Sequence, residues 1–144
     1  MTIRQLLDEK GHTVHTIGPD ESVFEAIRRM AEKGIGALLV TEGDRPVGIV
    51  TERDYARKVI LKGRSSKETP VRAIMTPDFV YIRPDQTIEE AMAVMTEKRV
   101  RHLPVIEEGR LVGIVSIGDV VKSIIEHQQF VIDQLTNYIH GDRS

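Results

Sequence analysis

Apolar side chains in this chain follow two kinds of spacing, and both kinds occur twice. Positions three and four residues apart predict two helices with one apolar face each: Val23, Ala26, Ile27 and Met30 in the first, and Ile88, Ala91, Met92 and Met95 in the second. Ser22 with Glu25 precedes the first helix and Thr87 with Glu90 precedes the second, which predicts a capping box at each start. The recurrence of cap and face indicates the same helix in both places.

Each of these helices is followed by two short apolar runs around a polar turn, which predicts a β-hairpin. The runs cover residues 37–40 and 46–50 after the first helix, and residues 103–106 and 111–115 after the second. Residues 47–50 show no polar alternation, so we expect both faces of that strand to be covered. A further helix is predicted to begin at Asp54 and again at Asp119.

The chain contains an internal repeat with an offset of 65 residues. Val-Gly-Ile-Val, then Thr or Ser, then Asp three positions later, occurs at 47–54 and again at 112–119. Aligning 16–54 with 81–119 gives 17 identical residues in 39 positions without a gap. A repeat of fixed period is a strong indicator of architecture. We predict an α+β fold of two β-α-β-β-α repeats with pseudo-two-fold symmetry, with helices packed on small sheets around a shared core.

The remaining segments divide the chain around the two repeats. We expect a lead-in helix at 1–10, the first repeat at 11–61, a linker with a short helix at 62–75, the second repeat at 76–126, and a C-terminal helix and tail at 127–144. One long amphipathic helix is predicted over 120–139, with apolar Val121, Ile124, Ile125, Val131, Ile132, Leu135 and Ile139. This apolar face exceeds what one repeat can cover, so we expect part of it to meet a partner subunit.

Composition narrows the classes of function. The net charge of −2 and the 4% of aromatic side chains argue against nucleic acid or an anionic membrane as partners. Cysteine is absent, which excludes disulfides and thiolate chemistry, and no apolar run reaches the length of a membrane span. The five histidines lack metal-ligand spacing, and the sequence has no nucleophile elbow and no Walker loop. We expect a cytoplasmic protein that is not an enzyme and has no metal or catalytic cofactor.

The doubled motif resembles a known family. Both Val-Gly-Ile-Val copies, with Arg101-His102-Leu103-Pro104-Val105 ahead of the second, are similar to tandem CBS domains, whose paired form is called a Bateman module. Residues 51–58, 63–66 and 115–121 look like those of small stand-alone CBS-pair proteins of bacteria and plant mitochondria. The resemblance implies a regulatory module with adenosine ligands: AMP, ADP or ATP, and in some members NAD or S-adenosylmethionine.

The resemblance also implies which residues bind the nucleotide. The carboxylates of Asp54 and Asp119 would accept hydrogen bonds from ribose hydroxyls, with Thr51, Ser116 and Arg53 beside them near the phosphates. The spacing of Thr51 to Asp54 and of Ser116 to Asp119 equally fits a capping box, so both motifs are also consistent with helix starts alone. The two roles are compatible.

Cationic residues differ between the two copies. Arg101 and His102 occur only in the second, where the first has small residues. The resemblance implies that both reach a phosphate, whereas the alternative is a solvated strand end, and the sequence leaves open which aspartate shares their cleft. Arg64 and Ser65 are further candidates for phosphate contact, although a basic run of this kind is usually solvated. We therefore expect two clefts that are not equivalent.

Thr16, Ile35 and Val100 are candidates for an adenine slot by the same resemblance, with plain core packing as the alternative. Taken together, the sequence predicts a sensor that binds an adenine nucleotide between paired motifs and signals to an unidentified partner protein. The alternative is a ligand-independent scaffold that regulates a partner enzyme. In either case the C-terminal helix predicts a homodimer.

Overall fold

The structure is a computed structural model that describes residues 1–140, with side chains described as far as Asn137. The described elements are, in chain order, α1 (Ile3–Lys10), β1 (Thr16–Ile17), α2 (Val23–Lys33), β2 (Ala37–Glu42), β3 (Arg45–Thr51), α3 (Glu52–Tyr55) with a π-helical extension (Ala56–Ile60), a 3₁₀ helix (Val71–Ala73), α4 (Ile88–Lys98), β4 (His102–Glu107), β5 (Arg110–Ser116) and α5 (Ile117–His140). This order confirms the predicted α+β class and both predicted helix–hairpin units.

The two hairpins have the same pairing in both repeats. β2 pairs with β3 antiparallel and β4 pairs with β5 antiparallel, and each ladder has an irregularity after Val40 or Val105, which are 65 residues apart. β1 adds a parallel third strand beside β2. In the second repeat that strand is reduced to a single parallel bridge between Ile82 and Val105. The internal repeat therefore extends to the details of strand register.

Helices α2 and α4 begin at the predicted residues, but the capping boxes are only half formed. The hydroxyls of Ser22 and Thr87 accept hydrogen bonds from the backbone N–H groups three residues later, at 3.1 Å in each case. The Glu25 carboxylate accepts hydrogen bonds from Arg28 and Arg29 instead of returning to the cap. The arginines one turn further along add an opposite charge that a backbone N–H lacks, so the Glu25 carboxylate pairs with them.

The prediction of one shared core is wrong, because each repeat has its own cluster of buried apolar residues among the described residues. The lead-in helix α1 places Ile3, Leu6 and Leu7 in the core of the second repeat, not the first. The segment that precedes the second repeat packs in the core of the first repeat, where Val71 and Ile74 are buried. Each repeat thus completes a small core with the lead-in segment of the other. This exchange joins the two repeats.

Glycine in the repeated Val-Gly-Ile-Val motif allows these lead-in segments to approach closely. A Cβ atom on Gly113 would lie 2.7 Å from Cδ2 of Leu7, and one on Gly48 would lie 2.8 Å from Sδ of Met75. Next to Gly48, Ile49 exchanges backbone hydrogen bonds with Thr76 in both directions. Gly48, Ile49 and Val50 are buried, which confirms that both faces of this strand are covered.

The helices after each hairpin begin two residues earlier than predicted. α3 starts at Glu52 and α5 at Ile117, so Asp54 and Asp119 are the third residues of their helices instead of the first. Helix α5 contains the predicted helix over 120–139. Its inner side chain Val120 is buried, and Ile124 packs against the second core. Its exposed large apolar side chains include Ile117, Val121, Ile125, Phe130, Val131, Ile132 and Leu135. Ile139, which was predicted to share this face, lies outside the described side chains.

Candidate functional site

Both Asp motifs form complete capping boxes. The Asp54 N–H donates to Oγ1 of Thr51 at 3.1 Å, and Oδ2 of Asp54 accepts from the Thr51 N–H at 3.0 Å. Asp119 and Ser116 make the same pair of bonds at 3.1 and 2.8 Å. The helix-start interpretation is therefore confirmed. Each cap uses Oδ2, and a carboxylate has a second oxygen with which to accept further donors.

A cleft of about 630 Å³ opens beside Asp54 and is formed by both repeats. Six of the predicted residues line it: Thr51, Arg53, Asp54, Val100, Arg101 and His102. The question that the sequence left open is thereby answered, because Arg101 shares its cleft with Asp54 of the other repeat. Sequence reasoning missed Phe79 and Asp78 in this cleft, and Arg99 lines it beside Arg101. Arg99 ends α4 with a φ of 56°, a conformation that glycine adopts at the matching position 34.

A second cleft of about 470 Å³ opens beside Asp119. The predicted residues Ile35, His102, Ser116 and Asp119 line it, together with Lys10, Thr13 and His15, which the sequence had not indicated. Ile35 here occupies the place that Val100 has in the first cleft, because the two are 65 residues apart in the repeat. The two clefts are therefore related by the pseudo-symmetry of the fold, and both volumes suit a small-molecule ligand.

Three predicted residues are not among those that line either cleft. Thr16 lies on β1 next to the cleft residue His15, and side chains alternate in direction along an extended segment. The predicted contact of Thr16 with a base stays a prediction. Arg64 and Ser65 lie in the linker. The carbonyls that follow, Ser66 and Thr69, accept hydrogen bonds from the first N–H groups of α2. This linker thus completes a helix start, which its composition alone did not indicate.

The Asp54 cleft carries cations that are not neutralised by neighbours. Arg53, Arg99 and Arg101 form no ion pair among the described side chains, whereas Asp54 is 3.1 Å from Nζ of Lys58. The Asp54 side chain is 14% exposed, so its carboxylate is sheltered from bulk water. The cleft therefore offers a hydrogen-bond acceptor and guanidinium donors on opposite repeats, with Val100 as an apolar wall.

The Asp119 cleft has a different electrostatic arrangement. Nζ of Lys10 lies 2.6 Å from Oδ2 of Asp119 and 2.6 Å from the carbonyl oxygen of Ile114. Burial opposes ionisation of the Asp119 carboxyl, but the hydrogen bonds from Lys10 and Ser116 outweigh burial and lower the pKa of Asp119. The carboxylate is therefore ionised and already paired with a cation.

His102 lies in the wall between the two clefts and lines both. A Cβ atom on Gly36 would be 3.5 Å from Cε1 of His102, which is ordinary van der Waals contact, so the ring lies directly against this glycine. Burial of the imidazole and the positive charge of Lys10 lower the pKa of His102, although the carboxylates of Asp119 and Glu52 act in the opposite direction. The ring is thus neutral near pH 7 in this structure.

Two kinds of feature are absent from the described residues. No group of three or more His, Asp or Glu side chains within them is arranged to hold a metal ion. No described helix combines the length and the hydropathy that a membrane span requires.

Comparison with known proteins gives a consistent result. The family profile of the CBS domain matches residues 10–61 and 71–126. CBS domain-containing protein CBSX3, mitochondrial, of Arabidopsis thaliana is 41% identical over 127 residues, which is 85% of this chain and 62% of that protein. CBS domain-containing protein YhcV of Bacillus subtilis is 32% identical over 127 residues, covering 88% of this chain and 89% of the relative. The chain thus spans less than two thirds of the plant relative.

Solved structures agree with these sequence relatives. A protein with CBS domains from Burkholderia ambifaria MC40-6, provisionally described as acting in signal transduction, is 54% identical with a TM-score of 0.86, covering 89% of this chain and 96% of that one. A CBS-domain protein of Agrobacterium tumefaciens is 43% identical with a TM-score of 0.82, covering 85% and 98%. CBS-pair proteins are generally regulatory. Two profile matches, the exchange of lead-in segments and the paired clefts lead to one conclusion: this chain belongs to the CBS-domain family and contains a tandem CBS pair.

Proposed function

We propose that this chain is a regulatory sensor, not an enzyme, which binds an adenine nucleotide between its repeats and signals to a partner protein. One observation carries the proposal. In the Asp54 cleft, a sheltered carboxylate from the first repeat and two guanidinium groups from the second, those of Arg99 and Arg101, line the same space. A nucleotide has matching groups, because its ribose donates hydrogen bonds and its phosphates accept them.

The geometry supports a division of roles within this cleft. Oδ2 of Asp54 holds the helix start and Oδ1 lies 3.1 Å from Nζ of Lys58, so a ribose hydroxyl would share Oδ1 with this ammonium group, and the cap is left in place. Val100 and Ile49 supply apolar surface for a base, and Arg101 supplies a donor for the phosphate end. Ligand contacts to both repeats at once would change how tightly the repeats are held together, which is a physical route to a signal.

Isothermal titration calorimetry with AMP, ATP, NAD, S-adenosylmethionine and 2′-deoxy-AMP tests the proposal. We expect AMP to bind and 2′-deoxy-AMP to bind about tenfold or more weakly, since a hydrogen bond to a charged group contributes about 1.5–3 kcal/mol. The variant Asp54→Asn keeps an oxygen for the Thr51 cap but loses the charge, and it should bind AMP more weakly in this cleft without unfolding. Equal affinities for AMP and 2′-deoxy-AMP would contradict the ribose role.

A second candidate function is a ligand-independent scaffold, and it rests on helix α5. Ile125, Ile132 and Leu135 are each more than half exposed on this helix, on a face that the two repeats do not cover. Such a face is suited to contact another protein. If a binding partner were retained equally by the unmodified chain and by Asp54→Asn with Asp119→Asn, in the presence and absence of AMP, the scaffold would be the better description.

A further inference from the structure

Lys10 reaches the Asp119 cleft from outside both copies of the internal repeat. It is in the last turn of α1, and this helix is anchored in the second core through buried Ile3, Leu6 and Leu7. The Gly11 N–H donates to the carbonyl of Leu7 at 2.6 Å and ends the helix directly after Lys10. The backbone of Lys10 is therefore held in a fixed place at the edge of the cleft.

The ammonium group of Lys10 occupies the carboxylate oxygen that also holds the helix start. Oδ2 of Asp119 accepts from Nζ of Lys10 at 2.6 Å and from the Ser116 N–H at 2.8 Å. Two donors use the two lone-pair positions of that oxygen. The Lys10 side chain is 33% exposed and that of Asp119 is 26% exposed, so water reaches the pair but does not surround it.

A ribose that engages Asp119 through both carboxylate oxygens has to displace Lys10 from Oδ2. The released ammonium would then face the cleft without its counter-ion. A phosphate group on the ligand supplies a new partner for this charge, whereas an unphosphorylated nucleoside supplies none. The contact therefore imposes a cost on adenosine that a nucleotide offsets.

The Asp54 cleft lacks an equivalent of this arrangement. The position 65 residues after Lys10 is Met75, which carries no charge. Asp54 is paired with Lys58 of its own helix segment, through Oδ1 at 3.1 Å, and Lys58 is not among the residues that line the cleft. Only the lead-in helix α1 thus brings a lysine into contact with a motif aspartate inside a cleft, among the described residues.

We propose that Lys10 is a specificity-determining residue of the Asp119 cleft, which makes this cleft select phosphorylated adenine nucleotides over adenosine. The inference rests on the proposed function, because it concerns the same kind of ligand. Beyond the proposed function, Lys10 is a binding residue outside the repeated motif, and its ion pair with Asp119 is the physical reason for the selectivity. Lys10 pairs with Asp119 in the structure, and it would pair with the phosphate of a bound nucleotide.

The test compares AMP with adenosine in a background that reports on the Asp119 cleft. Calorimetric titrations of Asp54→Asn and of Asp54→Asn with Lys10→Met give the ratio of AMP to adenosine affinity in each. We expect the ratio to fall about tenfold or more when Lys10 is replaced, because AMP loses a charged partner while adenosine loses a competitor. Lys10→Arg should retain the preference. Lys122→Met, a change on the exposed side of α5, is the matched control and should leave the ratio unchanged.

A ligand-free measurement separates this inference from the proposed function. Nuclear magnetic resonance titration of the Asp119 carboxyl should show a higher pKa in Lys10→Met than in the unmodified chain, since a stabilising cation is removed. An unchanged pKa would overturn the contact on which the inference rests. AMP binding with the same ratio in both variants would overturn the selectivity alone. Failure of the unmodified chain to bind any adenine compound would overturn the proposed function and the selectivity with it.

Discussion

At the scale of single residues, exposure decides how much each charge in a cleft can contribute. Arg101 is exposed, whereas Asp54 is mostly covered by its surroundings. Two unit charges 4 Å apart interact with about 1 kcal/mol in water and about 4 kcal/mol at an effective dielectric constant of 20. An interaction of exposed Arg101 with a ligand charge should therefore be close to the value in water, whereas one of sheltered Asp54 should be closer to the larger value. Residue type alone would have ranked them as equals.

This ranking gives a prediction for Arg101→Ala. AMP affinity should fall by less than about tenfold, and the loss should shrink as salt is raised, because an exposed charge is screened. Adenosine affinity should not change. Titrations at low and high ionic strength measure both effects, with Arg110→Ala on the distant end of β5 as the control. A loss that is equal for AMP and adenosine would mean that Arg101 only shapes the strand.

At the scale of elements, helix α5 serves two neighbours with different faces. Its inner face closes the second core through Val120 and Ile124, and the outer face carries Val121, Ile125, Ile132 and Leu135. These four outer positions are spaced by four, seven and three residues, the pattern of a seam between two helices. A second copy of the same helix would present a matching seam, which favours a two-fold contact.

The resulting prediction is that the chain is a homodimer through α5 and that Ile125→Glu weakens it. Ile125 is 58% exposed, so the new charge should not disturb the fold, whereas Ile124 packs on the core and is unsuitable for this test. Multi-angle light scattering at micromolar concentration should shift from a dimer toward the monomer mass of 16.2 kDa. Lys122→Glu is the control on the same helix. A monomer for the unmodified chain would contradict the prediction.

At the scale of the whole molecule, the Asp119 cleft makes the fold sensitive to acid. The folded state lowers the pKa of both Asp119 and His102, so the unfolded chain binds more protons than the folded one as the pH falls. The contribution of His102 to the free energy of unfolding is fully present above the ordinary histidine pKa of about 6.5. It decreases as the pH falls below that value. The contribution of Asp119 is lost at lower pH, below its ordinary value of 3.8.

We predict that Tm decreases when the pH is lowered from about 7 to about 5, and that this decrease depends on His102. The slope from one proton cannot exceed about 1.4 kcal/mol per pH unit. The charged groups that face His102 are Lys10 on α1, Glu52 on α3, Asp119 on α5 and Arg101 beside it. His102→Gln should flatten the decrease, whereas His127→Gln on the exposed side of α5 should not. The same slope in all three proteins would contradict the prediction.

The sequence by itself determined the elements and their repetition. Apolar spacing predicted α2, α4 and both hairpins, because local periodicity reflects which side of an element is buried. The internal repeat predicted the pairing of two similar units, and the family profile confirmed it. Asp54 and Asp119 were found from the motif alone, and the structure places each of them in a cleft.

Tertiary structure decided which repeat each lead-in segment completes, and therefore which charges meet in each cleft. Lys10 and Asp119 are 109 positions apart, and no local pattern links them. Their contact follows from the docking of α1 on the second core, which depends on the shape of the space beside Gly113. Likewise Arg101 and Asp54 line the same cleft only because the two repeats face each other. Periodicity records burial along one element, whereas long-range partners depend on how separate elements pack, and this packing determines the composition of each cleft.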